Sequence, residues 1–166
     1  MGSEIRDLHA VRAAHRHQRI VFASGGFDLT HAGHLLFFER CKLLGEILVV
    51  GVASDATRRK ERGPSRPIIP EQFRLKMVGG LKPVNYVFLI NQLAQDGEHP
   101  LAPLEPILKE LEPDIWAMND DGADLTYRQK LLENTPKTQI VVFPKKDYPE
   151  EYHLLSATTI ISRIMK

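Results

Sequence analysis

The chain has 166 residues, with 22 Lys and Arg against 21 Asp and Glu, a formal net charge of +1. That length suits one domain with a buried core, and so even a balance excludes a global electrostatic footprint for nucleic acid or an anionic membrane. The single cysteine, Cys41, excludes an internal disulfide and a thiolate zinc cluster, and 43% hydrophobic with 26% charged residues argues against disorder.

In chain order, Ile5, Leu8 and Val11 recur three apart among Arg6, Arg12 and Arg16, which predicts a short amphipathic helix within residues 1–17. Short apolar, β-branched runs then appear at 20–24, 47–53, 86–90, 114–118 and 139–143. They are continuous rather than alternating, as in strands covered on both faces. Helical spacing lies between them: Leu35, Phe38, Leu43 and Leu44, then Phe73, Met77 and Leu81. Leu104, Ile107, Leu108 and Leu111 follow, then Leu125, Leu131 and Leu132. Ser156 is placed to cap a terminal helix with Ile160, Ile161 and Ile164 on one side. Five strand–helix alternations predict a single α/β domain, a Rossmann-like, doubly wound, five-stranded parallel sheet over residues 18–166. Two long connections stand out, a basic loop at 54–70 and a polar one at 91–103. Long loops at the carboxyl ends of parallel strands are where ligands bind in such sheets. No apolar run approaches the roughly 20 residues of a membrane span, and no signal peptide is evident, so the expectation is a soluble cytoplasmic protein with no membrane partner.

The chemistry concentrates in SGGFDLTHAGH, residues 24–34, between the first strand and the first core helix. Gly25 and Gly26 remove side chains at the strand end, so that backbone amides can approach an anion. Gly33 leaves the helix start clear, where the dipole is positive. His31 and His34 sit three apart and can donate to phosphate oxygens from one side. A partial zinc site or a plain pair of helix-cap histidines are the blander readings of the same two residues. Neither a Walker A loop nor a G-x-G-x-x-G fingerprint is present.

GGFDLTHAGH resembles the G-x-F-D-x-x-H-x-G-H signature of cytidylyltransferase-like nucleotidyltransferases, among them glycerol-phosphate cytidylyltransferases, heptose-phosphate adenylyltransferases and archaeal FAD synthetases. CKLLGEILVVGVASD (41–55), RPIIPEQFRLKMVGGLKPVNYV (66–87) and SATTIISRI (156–164) extend the resemblance. It implies transfer of a nucleoside monophosphate from a triphosphate to a phosphate-bearing small molecule, with pyrophosphate released and Mg²⁺ on the triphosphate. It also suggests a homodimer, which composition does not show, and no nucleic-acid partner.

Carried over residue by residue, the resemblance makes His31 and His34 the charge stabilisers. Arg62, at the place of a phosphate-binding lysine, and Arg74, on the helix after the basic loop, join them as catalytic residues, with Arg74 reaching either the triphosphate or, as a structural ion pair, a carboxylate. Gly25, Gly26, Phe27, Asp28 and Gly33 of the signature would bind the nucleotide, with Asp28 organising the loop or orienting a histidine rather than acting as a base. Asn119 and Asp121 would lie near the base, and Ser156, Thr158 and Thr159 would address the β- and γ-phosphates. Asp55, Arg66 and Asp120 are assigned to the acceptor. Arg58, Arg59 and Lys60 read as further donors of the basic loop or as solvated cations, and Trp116 as core. The MNDDGAD stretch (118–124) favours a cytidylyltransferase using CTP, with Gly122 where glycerol-phosphate enzymes carry tryptophan. The alternative is an adenylyltransferase using ATP on a sugar phosphate or FMN, which the 66–84 stretch supports. A non-catalytic nucleotide-binding domain is the third reading.

Overall fold

The computed structural model describes residues 2–120, 124–152 and 156–164. The elements run β1 (Ser3–Glu4), α1 (Leu8–Ala14), β2 (Ile20–Gly25), α2 (Ala32–Lys42), β3 (Ile47–Ala53), α3 (Asp55–Arg62), α4 (Glu71–Gly80), β4 (Tyr86–Ile90), α5 (Leu104–Leu111), β5 (Ile115–Asn119), α6 (Leu125–Leu131), β6 (Gln139–Phe143) and α7 (Ala157–Ile164). All strand pairs are parallel, in the order β1-β4-β3-β2-β5-β6.

The doubly wound parallel sheet is as expected, but it has six strands among the described residues, not five. The added one pairs Ser3 with Tyr86 and Glu4 with Val87 at the sheet edge. Both of its residues are exposed and polar, so no hydrophobic signal marks it. The other strands read correctly because both faces are covered. In β2, Val21 and Ala23 join a core shared with Phe37, Phe38 and Val78, while Ile20 and Phe22 join one shared with Leu108, Leu111 and Trp116. Trp116 is fully buried, with the Arg128 guanidinium 4.5 Å from its ring centroid.

Two further expectations are corrected. Residues 55–62 of the basic connection form α3, capped by the Ser54 hydroxyl, which accepts the Thr57 amide at 3.2 Å. This helix buries nothing, so it has no apolar stripe to announce it. In α4 the expected inner face was Phe73 and Met77, yet these are 58% and 53% exposed. Arg74, Leu75 and Val78 face inward instead, because a buried arginine occupies part of the inner face.

The sheet reverses direction of growth at β2: β3 lies on one side and β5 on the other. β2 and β5 pair only at Val21–Ile115 and Phe22–Trp116, although β2 continues to Gly25 and β5 to Asn119. Ladder pairing thus stops short of their carboxyl ends. That is the switch point at which open α/β sheets receive ligands.

Candidate active site

The turn from β2 into α2 is bent by two left-handed residues, Phe27 (φ 49°) and Leu29 (φ 48°). Bulky side chains adopt that region at a cost, and such backbone persists where surrounding contacts over-determine it. Here Phe27 is buried against Phe38, with ring centroids 5.1 Å apart, and lies edge-on to His34 at 5.4 Å. The Thr30 hydroxyl donates to the Phe27 carbonyl at 3.0 Å.

His31 is the N-cap of α2, and its Nδ1 accepts the Gly33 amide at 3.1 Å. His34 returns the bond, its Nδ1 accepting the His31 amide at 3.3 Å. The helix-cap reading of these histidines therefore holds. A neutral imidazole that accepts at Nδ1 carries its proton on Nε2, so the cap fixes the tautomer and keeps both Nε2–H groups as donors. Burial lowers the pKa of His31, and burial followed by the neighbouring His31 takes His34 down to about 3. At neutral pH the pair is uncharged and ready to donate to an anion.

Asp28 and Arg74 hold the surrounding segments together. Asp28, 3% exposed, accepts the amides of Ile68 (3.0 Å) and Ile69 (3.0 Å) and pairs with Arg66 at 3.1 Å. Arg74, 1% exposed, donates to the carbonyls of Ile69 (2.8 Å) and Gly26 and to the Asp55 carboxylate (2.8 Å). Glu71 accepts the Asp55 amide at 2.6 Å. Asp28 thus ties the loop, the first of its two expected parts, and makes no bond to a histidine among the described residues. Arg74 takes the ion-pair side of its two readings: every nitrogen of its guanidinium is held inside the protein, and it positions Gly26, Ile69 and Asp55. Arg66 and Asp55, expected at the acceptor, are likewise engaged in these buried pairs.

The remaining residues fall in three places. Arg62 is exposed in the last turn of α3. Asn119 ends β5 and Asp120 follows it: the Asn119 side-chain oxygen accepts the Tyr148 hydroxyl at 2.8 Å, and Asp120 accepts the Lys145 amide at 3.1 Å. Ser156 caps α7, accepting the Thr159 amide at 3.0 Å with the two hydroxyl oxygens 2.8 Å apart, while Thr158 is exposed. Among the described residues, no hydrogen bond links Ser156 or Thr159 to the histidine turn. Asp121 and Gly122 lie outside the described residues. Gly25 ends β2 and Gly26 follows it, and the Gly33 amide serves the cap rather than standing free.

Arg58, which the sequence left between a phosphate donor and a solvated cation, is not solvated. Its side chain is 15% exposed, pairs with Glu61, and lies over Gly26. Lys60, in contrast, is a surface cation paired with Asp96 at 2.8 Å.

Residues 22–163 match the model of a family described as cytidylyltransferase-like. The chain belongs to the cytidylyltransferase-like family. It is 32% identical over 165 residues to the bifunctional protein HldE of Syntrophotalea carbinolica, covering 99% of this chain and 30% of that protein. The HldE of Wolinella succinogenes is 34% identical over 125 residues, 71% of this chain and 24% of that one. The chain therefore spans less than a third of the length of these curated relatives. Among solved structures, a lipopolysaccharide core biosynthesis protein from Thermoplasma volcanium superposes with a TM-score of 0.62 at 30% identity, covering 76% of this chain and 96% of that one. A pantoate-beta-alanine ligase from Francisella tularensis (TM-score 0.66, 15% identity, 97% of this chain and 76% of that one) shares the fold. As a member of the cytidylyltransferase-like family the chain is a nucleotidyltransferase-type domain. No helix among its described residues is long and apolar enough to cross a membrane.

Proposed function

We propose that the chain transfers the adenylyl group of ATP to a sugar phosphate and releases pyrophosphate. The observation that carries this reading is the capped histidine pair, which presents two neutral Nε2–H donors beside the glycine end of β2 at the switch point. An acceptor phosphate oxygen attacks the α-phosphorus, the bond from that phosphorus to the bridging oxygen breaks, and pyrophosphate leaves. No side chain has to form a bond. The protein's part is positioning, and stabilisation of charge that gathers on the phosphoryl oxygens. His31 and His34 donate to those oxygens, and Arg62 adds an exposed guanidinium from the end of α3.

Mg²⁺ enters on the triphosphate as part of the substrate. Among the described residues no three His, Cys, Asp or Glu side chains gather into a metal-holding group, and the side chains facing the turn are donors that suit the phosphates themselves. The metal would offset the triphosphate's charge.

The nucleotide preference inverts the order taken from the residues after β5. The HldE relatives and the lipopolysaccharide core biosynthesis protein support the sugar-phosphate branch of the resemblance, that of the heptose-phosphate adenylyltransferases. The test is pyrophosphate release from ATP or CTP, each with a panel of sugar phosphates, glycerol phosphate and FMN. Release with ATP and a sugar phosphate is expected. Release confined to CTP restores cytidylyl transfer, and the absence of release with every pair, while nucleotide still binds, leaves a binding domain.

A further inference from the structure

Gly26 and Arg58 fit one another. A Cβ at position 26 would fall 2.5 Å from Arg58 Nε, 2.8 Å from its Cζ and 2.9 Å from its Cδ, closer than real contacts allow. The guanidinium thus occupies the space that a side chain at 26 would fill, at the carboxyl end of β2 and two residues before the buried Asp28. Glu61 pairs with its η1 nitrogen, but its Nε is buried and has no hydrogen-bond partner among the described residues. A buried donor without a partner costs free energy, so this arrangement needs a reason. Burial also pulls the Arg58 pKa below its ordinary value, a sign that its charge is poorly solvated and would gain from an anion. The neighbouring donors point the same way, since His31 and His34 keep their Nε2–H groups for an anion.

We propose that Arg58 is a phosphoryl-binding residue seated in the cradle that Gly26 leaves open, so that the two positions work as one unit. The inference rests on the reading of the turn as a nucleotide site, and it goes beyond that reading by adding a ligand from α3. A planar guanidinium can offer Nε and η2 together to one phosphoryl group, which a lysine cannot. The phosphoryl group could belong to the nucleotide or to the acceptor, and titration with two probes separates these.

The experiment is calorimetric titration of wild type, R58A, G26A and the double variant with Mg·ATP, and separately with inorganic phosphate standing in for the acceptor. The clash at Gly26 is with the far end of a flexible side chain, so G26A should displace Arg58 rather than unfold the protein, and Tm is checked for each variant. R58A is expected to weaken binding about tenfold, the scale of one charge-assisted hydrogen bond. G26A should weaken it similarly, and in the R58A background G26A should add less than about twofold, because the unit is already broken. R58K should recover only part of the loss. Weaker Mg·ATP binding assigns the phosphoryl group to the nucleotide, and weaker phosphate binding alone assigns it to the acceptor. Unchanged binding of both probes by R58A, with wild type still binding Mg·ATP, overturns the inference and leaves the nucleotide site standing. Additive losses overturn the pairing, because Gly26 would then act without Arg58. A wild type that binds neither ATP nor CTP overturns the site reading and this inference with it.

Discussion

The imidazoles of His31 and His34 lie with ring centroids 4.0 Å apart, each holding a backbone amide at the start of α2 through Nδ1. One pair of bonds therefore shapes the helix start and also sets which nitrogen is left as a donor. H34A should lower turnover by about 10²-fold or more, the scale of losing one preorganised charge stabiliser. Loss of its half of the cap should lower stability by only about 1 kcal/mol. Steady-state kinetics with denaturant unfolding checks both, and near-full activity in H34A would remove this residue from the site. H34Q, whose amide nitrogen can stand near the place of Nε2, should retain more activity than H34A.

The same pair predicts an acid-side loss of stability. His34 is held at about 3 in the folded protein, against 6.5 in the unfolded chain. Between those values the unfolded chain binds a proton that the folded state refuses, so stability falls as pH drops through that window. The slope from this one group is about 1.4 kcal/mol per pH unit, and the group contributes no pH dependence above about 6.5. Comparing the urea midpoints of wild type and H34Q from pH 7 to pH 4 isolates the effect. Parallel curves would show that His34 is not held neutral.

Nucleotide binding should leave the pair neutral. Each Nδ1 accepts a backbone amide, and a proton there would set hydrogen against hydrogen, so the imidazoles are expected to meet a phosphate as neutral Nε2–H donors. Binding of Mg·ATP at pH 7 should therefore draw no protons onto them. Calorimetry of wild type and H34Q in buffers of different ionisation enthalpy measures it, and uptake in wild type that H34Q lacks would show the cap opening on binding.

Arg74 and Arg62 should separate cleanly. R74L strands the Asp55 carboxylate and the Gly26 and Ile69 carbonyls, and breaking so buried a pair costs about 3–5 kcal/mol. R62A, at an exposed site, should change stability by less than about 0.5 kcal/mol while raising the KM for ATP about tenfold. Urea unfolding and steady-state kinetics on both variants check this, and a stable but inactive R74L would return Arg74 to the catalytic residues.

Cys41 should be inert in the native protein. It is fully buried, and burial pushes its thiol well above the ordinary range, so the reactive thiolate is scarce. A thiol-specific reagent should label it no faster than the protein opens. Labelling at the rate of an exposed thiol would contradict the packing of α2.

Much of this molecule was legible in its residues. Five strands showed as continuous β-branched runs because both of their faces are covered, and the histidine turn showed because glycines, aspartate and histidines in that spacing have few other uses. Strand β1 was not legible: two exposed polar residues carry no periodicity, and only pairing with Tyr86 and Val87 makes them a strand. Nor was α3, whose helix is secured by the Ser54 cap without a buried stripe.

The local sequence by itself determined the β2–α2 turn, because its glycines, its cap and its tautomers depend on neighbours within a few residues. Only the tertiary structure decided the roles of the arginines. Arg58, Arg62, Arg66 and Arg74 are alike as letters, and what separates them is distance to groups far along the chain. Asp28 takes up Arg66, Asp55 and two carbonyls take up Arg74, and Gly26 makes room for Arg58. Arg62 stays in solvent at the end of α3. A guanidinium's role is set by what desolvates and pairs it, and those partners are brought together only by folding.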